Sequence, residues 1–232
     1  VALPLTEIQK EAVLNSTGIG IFVKTPELSS VKTRLAATIG SEKAEQFYRL
    51  AVNAIEQTVA TVCADKLITP YWAVAEKQAL DRPIWSGFTC LYGGSENLGL
   101  SQNRIYKKLL ESHQRAILIG VDSPQLSPDL LLQAINSLDD NNFAIGPALD
   151  GGYYLFAGKT AIDQKVWTSV KYSCATTASQ LSYALPSAPV QLMRLTDVDR
   201  EDDLVLLLEQ LCPVWSNQAQ LLLRDWLVSL NK

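Results

Sequence analysis

Short apolar runs alternate with amphipathic stretches along most of the 232-residue chain. The run GIGIFVK, ending at Lys24, predicts a first strand. A loop containing Pro26, Ser29 and Ser30 leads through VKTRL to Gly40-Ser41, which opens a helix. Within it Ala44, Phe47, Tyr48, Ala51, Ile55 and Val59 recur at helical spacing. Ser41 is the expected N-cap, with Glu42 and Glu45 near the positive end. YWAVA (71–75) and TCLYG (89–93) read as strands, and 97–113 as a polar-leaning helix carrying Arg104, Lys107 and Lys108. A strand over 116–121 is followed by Ser127-Pro128-Asp129, a cap with proline at the first helical position, and then LLLQAINSL. FAIGPA is the next strand, DGGYYLFAG a turn and a strand, 173–185 a helix and VQLMRL a strand. Asp199 opens the helix DLVLLLEQL. Two terminal helices complete the pattern: residues 4–14, and 217–230 with Leu221, Leu222, Trp226 and Leu230 on one face. Strands alternating with helices, without repeat or linker, predict one α/β domain whose mostly parallel sheet is covered on both faces.

One run carries more than fold information. AILIGVDSP (116–124) goes six residues without a charge and then meets Asp122. A short run rich in Ile and Val suits a strand buried on both faces, and open α/β sheets bind ligands beyond the carboxyl ends of their strands. Asp122 therefore stands where a metal ion or substrate is held, although an Asp before Ser123-Pro124 also serves as turn chemistry.

Charge and cysteine content narrow the function classes. Twenty basic against 24 acidic residues give a net charge of −4 with no basic stripe, which argues against nucleic acid. Cys63, Cys90, Cys174 and Cys212 form no CxxC pair, so neither a zinc site nor a disulfide framework is expected, in keeping with a reducing cytoplasm. No apolar stretch approaches the ~18 residues of a membrane span, and no leader pattern is expected.

Four constellations offer chemistry. KTPELSSVKTR places Lys24, Lys32 and Arg34 within eleven residues between a strand and a helix. Such a loop can neutralise a di- or triphosphate, yet it lacks both GxxxxGK[ST] and GxGxxG and equally reads as a solvated basic loop. Asp122 is the second, as a Mg²⁺-type ligand. Asp150-Gly151-Gly152-Tyr153-Tyr154 is a hairpin turn by composition, whose glycines admit close approach of a ligand and whose aromatics could stack on a base or sugar. Asp197-Val198-Asp199 precedes a helix, with Asp199 as N-cap and Asp202 completing a capping box. His113 is expected to be exposed or a C-terminal cap, and without it no Ser/His/Asp triad can be built. Trp167 is expected in the core or a pocket wall.

KTPELSSVKTRL, GGSENLG, ILIGVDSPQLSPDLL, AIGPALDGGYYL and LTDVDREDDL, in that order, resemble the motifs of the radical-SAM/selenodomain-associated transferases. These are GT-A-like proteins of the nucleotide-diphospho-sugar transferase superfamily. The resemblance covers about residues 19–208, leaving helices 4–14 and 217–230 as additions. It implies a Rossmann-like nucleotide-binding sheet that uses Mg²⁺ or Mn²⁺. By position, Lys24, Lys32 and Arg34 resemble phosphate contacts, Asp122 and Asp199 metal ligands, and Asp150, Gly151, Gly152 and Tyr153 the acceptor side. The chain departs from the family at Ser29, where Gly is usual, at Leu100-Ser101 in place of Glu-Arg, and at Ser123 in place of Cys.

The expectation is a metal-dependent transferase that takes a nucleotide-activated donor, a glycosyltransferase first, and a small-molecule acceptor, with Asp150 as the acceptor's base. Nucleotidyl transfer with loss of pyrophosphate uses the same groups and is the rival. A non-catalytic nucleotide-binding or partner-binding module is the third reading. The apolar C-terminal helix suits packing on the domain first and a homodimer seam second.

Overall fold

The computed structural model describes residues 16–230 apart from 65, 66, 213 and 215, so the expected helix 4–14 lies outside the described residues. Seven strands form one sheet: β1 (Thr17–Val23), β2 (Ile68–Val74), β3 (Thr89–Tyr92), β4 (Arg115–Ile119), β5 (Phe143–Pro147), β6 (Tyr153–Gly158) and β7 (Val190–Gln191). Their order is β3-β2-β1-β4-β6-β5-β7. Every neighbouring pair is parallel except those made by β6, which runs antiparallel to β4 and β5. The described helices are α1 (Thr33–Ile39), α2 (Ser41–Val62), α3 (Leu98–Leu110), α4 (Pro128–Ser137), α5 (Gln164–Ser169), α6 (Thr177–Ala184), α7 (Glu201–Gln210) and α8 (Gln218–Leu230).

Strand alternation divides the core. Ile19 and Ile21 of β1, with Ile117 and Ile119 of β4, pack under α2 and α4, where Ile55, Val59 and Leu131 meet them. The opposite face carries Ala116, Leu118 and Phe156 against Ile105 and Tyr106 of α3 and Trp167 of α5. On that face β1 has Gly20, where a Cβ would lie 2.7 Å from Ile105 Cγ2, so α3 sits directly on the strand backbone. A third cluster, outside α2, joins Phe47 and Ala51 to Leu207 of α7 and Leu223 and Leu227 of α8. The C-terminal helix thus packs on the domain. Its buried face is Ala219, Gln220, Leu223 and Leu227, one step from the expected stripe, and Leu222 is half exposed.

Local chemistry accounts for most element starts. The Ser127 hydroxyl caps α4 by accepting from the Leu130 N–H at 3.2 Å, with Pro128 in the first turn. Gly40, not Ser41, is the N-cap of α2: it sits at φ 87°, a conformation a side chain disfavours, between two helices. The Thr33–Ile39 and Gln164–Ser169 helices have no counterpart in the apolar pattern, since each is too short to show a period. The helix expected over 173–185 starts only at Thr177, because Ser173 adopts φ 59°. The strand expected over VQLMRL pairs only at Val190–Gln191 and through a bridge from Leu195 to Ala148. His113 is half-buried rather than exposed, 3.0 Å from the Tyr71 hydroxyl, and burial lowers its pKa. Trp167 is fully buried, and all four cysteines are free thiols.

Candidate functional site

At the carboxyl ends of β1, β2 and β4 the chain leaves the sheet and opens a cleft of about 820 Å³. The cationic loop forms one wall. It is fastened from beneath: the Tyr48 hydroxyl accepts the Lys24 N–H and donates to the Lys24 carbonyl, both at 2.8 Å. Glu76, buried just past β2, accepts the Thr25 N–H at 2.9 Å and the Ser29 hydroxyl. Thr25 in turn accepts from the Trp85 indole at 3.2 Å. Neither Tyr48 nor Glu76 stood out as a site residue in the sequence. The only available signal was a carboxylate immediately after the strand YWAVA.

Within this wall Lys32 takes a left-handed backbone (φ 49°), unfavourable for a residue with a Cβ. Its side chain is only 4% exposed and forms an ion pair with Asp122 at 2.5 Å. Its ammonium also donates to the Val198 carbonyl and lies 5.7 Å from the Phe47 ring centre. Arg34 reaches Asp199 at 2.5 Å, a pair exposed enough to contribute little stability. Lys24 is exposed at the cleft edge.

The wall that this loop meets comes from three separate turns. β4 ends at Ile119, so Gly120 and Val121 carry the chain past the sheet edge before Asp122. The Asp122 carbonyl accepts the Val198 N–H at 2.9 Å, which draws the 197–199 turn alongside. The Asp150 carboxylate accepts the Gly152 N–H at 2.8 Å across the β5–β6 turn. Gly151 there has φ 90°, and a Cβ on it would overlap the Ala175 carbonyl, so the turn requires glycine.

These turns bring Asp150, Asp197 and Asp199 together, one carboxylate oxygen from each lying within 4.8 Å of the others. Of the pair expected from the sequence, Asp199 joins this triangle, while Asp122 lies in the same cleft, beside Asp197 and paired with Lys32. Asp197 is a third acid that the sequence did not single out as a ligand. Its pKa is pushed up first by burial and then by the negative charge of Asp122, against the pull of Lys32, with Asp150 and Asp199 adding to the rise. Its one polar side-chain contact among the described residues is a long 3.4 Å approach from the Ser123 hydroxyl.

The sequence offers Asp199 as the N-cap of α7, and only the resemblance makes it a metal ligand. The observed cap is Arg200, and the Asp203 carboxylate, not Asp202, accepts the N–H groups of Asp199 and Arg200 at 2.9 and 2.7 Å. The side chains of Asp197 and Asp199 are thereby left to the cleft. Three hard oxygen donors around one point, with a repelled and half-buried acid among them, fit a Mg²⁺- or Mn²⁺-class cation.

The aromatics divide. Tyr153 lines the cleft with its hydroxyl 2.6 Å from Gln102 Oε1, while Tyr154 is buried and donates to the Met193 carbonyl at 2.8 Å. Tyr153 is the more open of the two, although both edge the cleft. Gly93 and Gly94 complete the rim, and Arg104 closes it by pairing with Glu96 and donating to the Gly93 carbonyl.

The mostly parallel sheet with one reversed strand is a fold shared with nucleotide-using transferases. A proposed nucleotide-diphospho-sugar transferase from Desulfovibrio desulfuricans G20 superposes with a TM-score of 0.76 at 28% identity, over 92% of this chain and 97% of that one. The 4-diphosphocytidyl-2C-methyl-D-erythritol synthase of Anaerococcus prevotii DSM 20548 shares the fold at a TM-score of 0.53 and 14% identity, over 92% and 99% of the two chains. CMP:2-keto-3-deoxy-manno-octonic acid synthetase complexed with CTP shares it at 0.51 and 10%, over 82% and 95%. By sequence, the chain belongs to the family described as "Uncharacterized protein conserved in bacteria (DUF2064)", whose model matches residues 52–174. No curated protein sequence matches the chain.

Proposed function

We propose that the protein is a metal-dependent transferase that takes its group from a nucleoside-diphosphate donor, a nucleotide-sugar first. The observation that carries this reading is one cleft lined by a triangle of carboxylates and, against it, by the loop of Lys24, Lys32 and Arg34. The likeness to the Desulfovibrio protein, over nearly the whole of both chains, supports the same class.

Asp150, Asp197 and Asp199 would hold the cation, which when bound neutralises diphosphate oxygens and the charge left on the departing phosphate. Lys32, preset by Asp122 and by its left-handed backbone, presents a fixed ammonium to the diphosphate. Arg34 exchanges Asp199 for a phosphate oxygen at little cost, since the exposed pair it gives up is weak. Glu76 and Tyr48 hold the loop in place before the donor arrives, so its ordering entropy does not weaken binding. Asp150 serves better as a ligand than as the base expected from the sequence, because a carboxylate sharing a cation is a poor proton acceptor.

The test is product analysis with a panel of nucleotide-sugars and nucleoside triphosphates in Mn²⁺. Release of nucleoside diphosphate from a nucleotide-sugar supports the proposal. Pyrophosphate release from a triphosphate would replace it with nucleotidyl transfer. Binding of Mn²⁺ and nucleotide without any turnover across acceptors would leave a binding module.

A further inference from the structure

Among the described residues the buried side-chain amides are Gln102, Asn103, Gln125 and Gln220. All but one spend their N–H groups inside the protein. Asn103 donates to the Gln164 side chain at 3.3 Å, Gln125 to the Thr196 carbonyl at 2.8 Å and Gln220 to the Pro124 carbonyl at 2.8 Å. Gln102 is the exception. It is only 7% exposed, yet its Nε2 donates to none of the described residues. Nor is that nitrogen sealed in the core, as Asn103 Oδ1 is one residue further on. Gln102 lines the main cleft, so its free N–H groups open there.

The amide is held in one orientation. Its Oε1 accepts the Tyr153 hydroxyl at 2.6 Å, and burial raises the Tyr153 pKa, which keeps that hydroxyl a donor. The neighbouring Tyr172 spends its own proton on the Trp167 carbonyl at 3.0 Å. With the oxygen engaged, the amide offers the cleft donors alone, and a buried donor gains most from a ligand that brings an acceptor.

The sheet order places this amide within the cleft. The cationic loop follows β1, in mid-sheet, with β2 and β3 on one side and β4 and β6 on the other. Toward β3, Gly93 and Gly94 leave bare backbone on which a flat base can lie close. Toward β6, Gln102 is fastened to Tyr153, the residue after Gly152, whose N–H the Asp150 carboxylate accepts. A diphosphate held between the loop and the carboxylates thus has a backbone shelf at one end and the Gln102–Tyr153 pair at the other.

We infer that Gln102 reads the group to be transferred, and that this group is a neutral sugar. A sugar hydroxyl oxygen accepts from the amide, and Tyr153 and Tyr172 offer aromatic faces to the ring. Charge sets the neutrality. The lysines and arginines lining the cleft all stand on the Lys24–Arg34 loop, whereas Asp150, Asp197 and Asp199 stand toward the other end. A carboxylate on the sugar would meet their repulsion with no cationic side chain of its own. The sugar assignment rests on the transferase reading above; the open amide does not.

Glucose 1-phosphate carries a phosphate and a sugar without a base, so it probes this end alone. Its binding is titrated by ligand-observed NMR in Mg²⁺, beside that of glucuronic acid 1-phosphate. The thermal shift given by Mn²⁺ with UDP, GDP, CDP or ADP is measured on the same proteins. The wild type is expected to bind glucose 1-phosphate, and the uronic acid at least about tenfold more weakly. Gln102→Met, which nearly keeps the volume and removes the donors, should weaken glucose 1-phosphate about three- to tenfold. Tyr153→Phe, which frees the amide to turn, should weaken it less. Both variants should keep the nucleotide-dependent thermal shift, since the nucleoside lies at the other end. No binding of glucose 1-phosphate by a wild type that shows the nucleotide shift would overturn the inference. So would equal binding by wild type and both variants, or a uronic acid bound as well as glucose. Loss of the nucleotide shift in Gln102→Met would overturn it too, by placing the amide on the nucleoside. A wild type with no metal-dependent nucleotide shift would instead strike the transferase reading.

Discussion

Replacing Asp197 with Asn should make the protein more stable while removing its cation site. The carboxyl is pushed up to about 8 from an ordinary 3.8, by burial first and then by Asp122, with Lys32 opposing. At pH 7 the native state therefore holds a proton that the unfolded chain has released, and the wild type carries that unfavourable linkage. Each pKa unit corresponds to ~1.4 kcal/mol, so the ceiling is on the order of 4 kcal/mol. The Asn amide remains half-buried without a strong partner, which reduces the expected gain to about 1–3 kcal/mol. For a domain of this size that raises Tm by roughly 2–12 °C. The sign has a pH signature. A raised carboxyl pKa costs native stability as pH climbs from the unfolded value toward the folded one, so the variant's advantage is full near pH 8. It disappears only well below the unfolded value of 3.8, by about pH 3, where both states of the wild type are protonated. Thermal melts at about pH 3, 7 and 8, each with and without Mn²⁺, measure it. A variant no more stable than wild type at pH 7, still raised in Tm by Mn²⁺, would refute both the burial argument and the site.

Lys32→Ala should weaken a nucleoside diphosphate at least about tenfold in calorimetric titration and the matching nucleoside hardly at all, since the ammonium addresses phosphate alone; equal weakening would remove the phosphate role. Gly151→Ala should cost about 1–3 kcal/mol in urea melts, because a Cβ meets the Ala175 carbonyl and the residue sits at φ 90°. The Cys174 thiol is lowered to about 7, mainly by the Thr176 side chain, whereas burial pushes Cys63 up to about 11. Iodoacetamide, followed by peptide mass spectrometry, should therefore modify Cys174 with a midpoint near pH 7 and leave Cys63 largely untouched below pH 9.

What the sequence made legible follows the range of the interactions involved. The α2 face from Ala44 to Val59 and the Ser127-Pro128 start of α4 are set by contacts within one or two turns, and both are found as read. Asp122 was visible because a buried strand announces its own end. Its partner was not visible, because the register of the 197–199 turn is fixed by a backbone bond spanning 76 residues, Val198 N–H to Asp122 C=O. The cap of α7 was placed one residue early: Arg200 is the N-cap and Asp203, not Asp202, completes the capping box. Glu76 and Tyr48 act through the backbone of a loop far from them in sequence, so no local pattern marks them. Likewise Tyr154 looked like half of a stacking pair, yet strand alternation turns it into the core.

The most direct measurement is the position of the cation. Crystals grown with Mn²⁺ and a nucleoside diphosphate, with diffraction recorded on either side of the manganese edge, should show an anomalous peak between the carboxylates of Asp150, Asp197 and Asp199, with the diphosphate between it and Lys32. A peak on Asp122 with Lys32 displaced, or nucleotide bound with no peak in the triangle, would contradict the account.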